Sequence, residues 1–490
     1  MFKNPSIFFT TCIWLWFIQL GVIAQGIRDR SNESRDKTQT QEKEESAWSF
    51  SGHVSQEYRL RHSSHLELAA VDGDSEEGVD DDETDQDLRL SLSGYLWEKS
   101  DHFAGDLSMG LWHDLDGETE VGRPSSFGSV DDHDAPQSWH DPFDVYSLYG
   151  EYHSPYLLSL LRAGRQTSEY GRPITFDGAA MKLNVLKPYL EWAVFGGRTV
   201  HFFEIKSGLF ENWLASTAIA LRPLPSLRIE ADYRYASEQH PSDEASAIGR
   251  VDDHCYGLAV WYAISSWAWL KGYLRGMNNA ASNAGGGARL EWIQGELGID
   301  AKVDGQLTTL RAINQRDDPY FEVLGESLEH IKIHIDAFKA LATDFGQFSA
   351  HFGWQERMLT NDKPNRFNRD FGRIYLFVQA SDIVLSGPFA GLTVEYNYSL
   401  SSDELPDNSL FAVGGSAGYK WNPIQATVGS YYYRYKYDYY IDPVELENVR
   451  SYFGECRYDP FEWLSLRLNY LFEQFDRDLH SVTLRLVETY

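Results

Sequence analysis

The sequence predicts an all-β chain: a transmembrane, antiparallel, up-and-down β-barrel of about 22 strands (range 18–22) with long acidic loops at its external end. Three observations predict it. Apolar and polar residues alternate at period 2 in segments of roughly 10–13 residues. Short and long breaks between these segments take turns. The chain is also acidic and hydrophilic, with net charge −30 and mean hydropathy −0.43, yet it carries 29 Tyr, 27 Phe and 15 Trp. A barrel with an aromatic lipid face and a wet interior accommodates that combination.

Residues 1–24 read as a secretion signal, with Lys3 as the positive region, an apolar run from Ile7 to Leu20, and Val22-Ile23-Ala24 as the cleavage site. Cys12 lies inside it, which leaves Cys255 and Cys456 in the remaining chain. Residues 25–47 are polar and aperiodic, a disordered periplasmic tail. The barrel then occupies residues 48–490. No later run of 18 apolar residues exists, so a multi-span helical membrane protein is excluded.

The alternation is cleanest in a few segments. Leu227, Ile229, Ala231, Tyr233 and Tyr235 oppose Arg228, Glu230, Asp232 and Arg234. Leu392, Val394, Tyr396 and Tyr398 oppose Thr393, Glu395 and Asn397. Successive side chains on a strand point to opposite faces, so each segment has one apolar and one polar side. In 431–440, Tyr431, Tyr433, Tyr435, Tyr437 and Tyr439 share one parity and read as a lipid-facing girdle; Arg434, Lys436 and Asp438 take the other. The final strand carries Val482, Leu484 and Leu486 and ends on Tyr490, as an assembly signal would. Gly285-Gly286-Gly287 reads as a loop tip.

Charge is segregated. Residues 67–87 hold eleven acids and no Lys or Arg; residues 114–141 hold eight more acids against Arg123 alone. These read mainly as solvated, self-repelling loops. Asp72, Asp74, Glu76 and Glu83 approach a calcium-loop spacing, but Glu77 stands where the turn glycine belongs, so the motif fails as written. The inferred lumen is basic, with Arg59, Arg61, Arg89, Arg162, Lys182, Arg228, Arg234, Lys271, Arg275, Lys332, Arg373, Arg434, Lys436 and Arg467 against eight acids. Such a wall either selects anionic solutes or braces itself with ion pairs.

Chemistry is otherwise sparse. There is no HExxH, P-loop, GxSxG or CxxCH, so no catalytic residue, cofactor or attached haem is expected. His330 and His334 alternate with Ile331, Ile333 and Ile335 and read as solvated lumen histidines on a strand. An acidic chain repels nucleic acid.

Residues 160–183, LLRAGRQTSEYGRPITFDGAAMKL, resemble a hairpin of the alginate-export family of outer-membrane porins, through Arg162, Gly164, Arg165 and Gln166 followed by Phe176, Asp177 and Gly178. Arg165 and Asp177 should face each other across it and join the candidate lumen set. The resemblance implies an arginine-lined outer-membrane channel for anionic sugars or polysaccharide. It also implies insertion by the barrel-assembly machinery among outer-membrane lipid and lipopolysaccharide. The alternative is a scaffold barrel sheathing a partner such as a multihaem cytochrome, for which about 22 strands give room. A lipolytic barrel enzyme is a third class, with no local motif behind it.

Overall fold

The computed structural model describes residues 48–64, 83–98, 100, 102–115, 143–171, 173–200, 212–238, 251–293, 296–308, 328–360, 370–383, 385–400, 409–435, 447–474 and 478–490. Residues 1–47, where a signal and a polar tail are expected, and most of both acidic segments lie outside these residues.

Twenty-two strands follow one another: β1 (Trp48–Ser64), β2 (Glu83–Glu98), β3 (Phe103–Asp114), β4 (Phe143–His153), β5 (Leu158–Thr167), β6 (Thr175–Leu186), β7 (Leu190–Thr199), β8 (Trp213–Leu224), β9 (Leu227–Glu238), β10 (Val251–Ser265), β11 (Ala268–Met277), β12 (Ala280–Ile293), β13 (Leu297–Gln306), β14 (His330–Thr343), β15 (Gly346–Leu359), β16 (Asp370–Ser381), β17 (Pro388–Leu400), β18 (Leu410–Trp421), β19 (Ile424–Tyr435), β20 (Glu447–Phe461), β21 (Leu464–Gln474) and β22 (Asp478–Thr489). Each pairs with the next in one sheet, and β22 pairs antiparallel with β1 over twelve register positions from His53–Thr489 to Ser64–Asp478. The sheet is therefore closed and has no edge strand, so every interior strand has its backbone partners on both sides.

Short and long connections between strands take turns, as the sequence predicts, with few exceptions. Every connection at one end has six residues or fewer, among them 187–189, 225–226, 266–267 and 422–423; 65–82, 115–142 and 307–329 lie at the other. One connection at the long end is reduced to Asn278-Asn279, both with positive φ (48° and 71°), the hairpin geometry that asparagine tolerates. Gly285–Gly287 lies inside β12, not in a loop, where Gly285 and Gly287 face Asp304 and Lys302 of β13. The alternation was hidden there because the side chains that would display it are missing.

One face of the wall is apolar and open. Leu161, Ile219, Tyr233, Leu258, Leu274, Leu392, Val428, Leu468 and Leu484 are each more than a third exposed and share the outward parity. An apolar surface that encircles a whole barrel is built to meet lipid, not water. Cys456 lies on this face and Cys255 on the inner one, and neither is in a disulfide.

The register overturns one parity. Tyr431 packs against Gly414, Tyr433 stands opposite Ala412, and Tyr433 Oη donates to Glu473 at 2.6 Å, all on the inner face. The position of Arg434, opposite Asn448, takes the outer parity with Val428 and Tyr432. Lys436, Tyr437 and Tyr439 lie outside the described residues. A run in which both parities carry Tyr cannot display its own inside; its neighbours decide.

Substitution on the two faces should separate them. Leu484→Arg, on the outward face opposite Tyr58, is expected to lower stability by about 2–4 kcal/mol in a bilayer, whereas Thr483→Arg, one residue away and facing inward, should cost far less. Denaturant titration of vesicle-inserted barrel, read by heat-modifiable electrophoretic mobility, checks this.

Candidate functional site: the charged lumen

The inner face carries a row of basic positions that climbs the wall. Register partners run Arg228, Trp261, Lys271, Gly287, Lys302, His334, Gln355, Arg373 and Asn397, one on each strand from β9 to β17. Arg228 is the second residue of β9, at the short-turn end; Arg373 is the fourth of β16, at the long-connection end. A register row runs perpendicular to the strands, and strands in a closed barrel tilt, so the row ascends as it goes round.

Most of these basic side chains have a carboxylate from a nearby inward position. Arg228 pairs with Glu230, Lys302 Nζ lies 3.3 Å from Asp300, and His334 Nε2 lies 3.0 Å from Asp336. Arg373 donates twice to Glu395, at 2.9 and 2.7 Å. Lys271 differs: among the described residues its one recorded contact is the ring of Trp261, 5.4 Å away, which Arg228 also approaches at 5.6 Å. A second basic row lies across β20–β22, where Arg457, Arg467 and Arg485 are direct register neighbours. Like charges directly opposite repel. Asp459 and Glu57 relieve the two outer members, at 2.8 and 3.9 Å, and the Nε of Arg467 has no hydrogen-bond partner.

The remaining expected residues divide by partner. Arg59 and Arg61 face inward and bind Asp87 at 2.7 Å and Asp85 at 2.5 Å, so these two acids belong to β2 and to the lumen instead of a solvated loop. Arg89 lies 3.8 Å over the ring of Trp112, and its Nε has no hydrogen-bond partner. Arg162 binds Glu151 at 2.7 Å. Arg165 and Asp177 do face each other, with two hydrogen bonds of 2.8 Å. They share the parity of Leu148, Leu161 and Met181, however, and so stand on the outer face. The histidines have partners too: His330 is buried with Nδ1 at 2.7 Å from the Leu328 carbonyl. Asp72, Asp74 and Glu76 lie outside the described residues, Glu83 opens β2, and no metal-ligand cluster occurs among the described residues.

Sequence reasoning missed the strap. In the connection between β5 and β6, residues 168–171 and 173–174 turn into the barrel. Glu169 binds Lys182 at 2.7 Å and Arg162 at 3.2 Å. The Tyr170 hydroxyl donates to Glu191 near the short-turn end of β7. Arg234 donates to the Tyr170 carbonyl at 3.5 Å and Arg275 to the Gly171 carbonyl at 3.4 Å. Two arginines expected to meet solute therefore hold backbone. Beneath the strap Tyr170, Phe176, Phe195 and Leu214 form an apolar cluster against Ala193, Ala218 and Ala220, with Phe176 and Phe195 stacked at 5.4 Å. Gly171 has φ +72°, and a Cβ there would fall 2.7 Å from Asp232 Oδ2, so only glycine lets the strap sit this close. The legible signal was the run of alanines at inward positions: small wall residues leave room for something to fill.

Burial alone would raise the Glu169 carboxyl, but Lys182 and Arg162 outweigh it and hold the group below its ordinary range; burial first, then Glu191, push the Tyr170 phenol well above its own. The strap's charged contacts are thus complete at neutral pH.

No family model matches the sequence, and no curated protein matches it. Solved structures similar to it include a BenF-like porin from Pseudomonas fluorescens Pf-5 (9% identity, TM-score 0.45), Acinetobacter baumannii OccAB4 (11%, 0.41) and Pseudomonas aeruginosa OccK2 (OpdF) in complex with glucuronate (8%, 0.42). The first two matches cover 90% of this chain and 98% of the other, the third 90% and 97%.

Two outcomes test the strap. Tyr170→Phe removes a hydrogen bond to a charged acceptor, worth about 1.5–3 kcal/mol, and should raise exchange of the Ser168 and Ile174 amides about tenfold or more, measured by hydrogen-exchange mass spectrometry. A carboxylate with a lowered folded pKa contributes stability that is present above the unfolded value, about 4.3, and lost as pH falls through the folded one. Protection of those amides should therefore hold down to about pH 4.5 and fail below it.

Proposed function

We propose that this chain is an outer-membrane channel passing small anionic solutes by diffusion through its lumen. The observation that carries this reading is the climbing basic row from Arg228 to Arg373, which places a cation at successive heights from one mouth of the barrel to the other. A charge-lined wall sets the sign of the ions that pass. The guanidinium fork matches carboxylate and phosphate oxygens, and Lys271 and Arg467 have donors that no carboxylate of the described wall occupies.

Ion pairs limit how far the wall can favour anions. Arg59, Arg61, Arg162, Arg228 and Arg373 each have a carboxylate within reach, so the wall braces itself and offers a solute exchangeable partners in place of bare charge. Net selectivity then rests on the few cations without such partners. Acidic sugars are the finer proposal, supported by Trp112 and Trp261 beside Arg89, Arg228 and Lys271, since a ring face can take the apolar side of a sugar. Passage of polymer would require the strap to leave the lumen.

The test is single-channel recording of purified barrel in a planar bilayer under a salt gradient. Anion-selective current is expected, reduced in Lys271→Gln and Arg467→Gln and interrupted by glucuronate added to either side. Cation-selective current indifferent to glucuronate would overturn the reading, and a barrel that inserts but stays closed would favour the sheathing alternative.

A further inference from the structure

The outward face of the barrel carries polar hydrogen-bond donors at one height and one sector. At the long-connection end of β20, β21, β22 and β1, a row of rings stands side by side: Tyr452 stacks on Phe472 at 6.0 Å, Phe472 on His480 at 4.7 Å, and His480 on His62 at 6.3 Å. Arg450, in the register row above, lies between Tyr432 and Gln474. It is exposed and has no ion pair among the described residues. The one carboxylate in its outward register row is Asp478, opposite Gln474 and Ser64 and two strands away.

The two imidazoles are held by the same nitrogen. His480 Nδ1 lies 2.9 Å from the Tyr470 hydroxyl and His62 Nδ1 lies 3.2 Å from Thr84 Oγ1. With those hydroxyls donating, each Nε2 carries the proton and has no partner among the described residues. The patch thus presents a guanidinium and two imidazole Nε2 groups, amid rings, on the outward face of the wall. A cation on the outer face is tolerable only near the headgroups, where its cost falls to about 0–1 kcal/mol. Arg450 is the fourth residue of its strand, counted from the long-connection end.

We propose that this sector binds the phosphorylated headgroup of an outer-leaflet glycolipid, with Arg450 and the His62 and His480 Nε2 groups on phosphate oxygens and the aromatic row against the sugar. Three donors without a matching acceptor complement a phosphate, and the fork geometry of arginine suits it. The acidity of the chain sharpens the point: a protein of net charge −30 repels an anionic leaflet unless its wall offers local cations. The proposal rests on the outer-membrane reading above.

Native mass spectrometry of the full-length barrel in neutral detergent, titrated with bisphosphorylated lipid A, its dephosphorylated form and phosphatidylcholine, tests it. Wild type should retain bisphosphorylated lipid A at least fivefold more than the dephosphorylated form; Arg450→Gln should erase that preference and Arg450→Lys keep most of it. Loss of the preference on raising salt is expected as well. Equal retention of the phosphorylated and phosphate-free forms by wild type would overturn the proposal without recourse to any variant. An unchanged preference in Arg450→Gln with native heat-modifiable mobility would do the same. Failure of wild type to insert into bilayers would remove the premise and the patch together, whereas insertion with conduction and no phosphate preference would refute the patch alone.

Discussion

The rest of the structure depends on a backbone constraint. A wall whose outer face is apolar has no water to satisfy a stray N–H or C=O, so every strand must find partners on both sides. The pairing of β1 with β22 is what meets this condition for the two end strands. From closure follows tilt, and from tilt follows a lumen in which positions far apart in sequence align into rows. The row from Arg228 to Arg373 exists because nine strands repeat one register step, not because any local motif encodes it.

Inside, water is present, and electrostatics replace hydrophobicity as the organising force. Many lumen carboxylates and basic side chains meet at 2.5–3.3 Å, commonly between a residue and its neighbour two along the same strand or on the adjacent strand. That arrangement keeps an acidic chain from leaving uncompensated charge on its own wall. It also makes the exceptions informative: Lys271 on its tryptophan, and Arg467 between two other arginines. The strap adds a different principle. It buries tyrosine and phenylalanine inside the barrel, a small dry core in a wet interior, and fastens it with backbone carbonyls as well as charges.

The barrel was largely legible. Period-2 alternation reads directly as inside and outside, and the breaks give strand count and direction, because each residue reports its own face. The failures occur where this signal degenerates. Around Tyr431–Tyr435 both parities are aromatic, so Gly414 and Glu473 decide the inside, and they come from other strands. Gly285 and Gly287 carry no side chain to report. Arg165 and Asp177 are polar on an apolar face, a pairing that register settles and composition cannot. The strap was invisible because seven residues of a connection look alike whether they turn outward or in; the alanines beneath it carried the information, and reading them requires knowing which strands adjoin.

The two-residue turn at Asn278-Asn279 has a consequence for how such a chain assembles. Its neighbours on either side, 266–267 and 294–296, are also brief, so four consecutive strands, β10 to β13, are linked by connections of two, two and three residues. Bringing their ends together costs the least chain entropy anywhere in the sheet. The final joining of β1 to β22 is the opposite case, since it must gather segments separated by more than four hundred residues. Contacts of short separation form early and distant ones late. The sheet is thus placed to grow outward in both directions from β10–β13, with the seam as its last stitch.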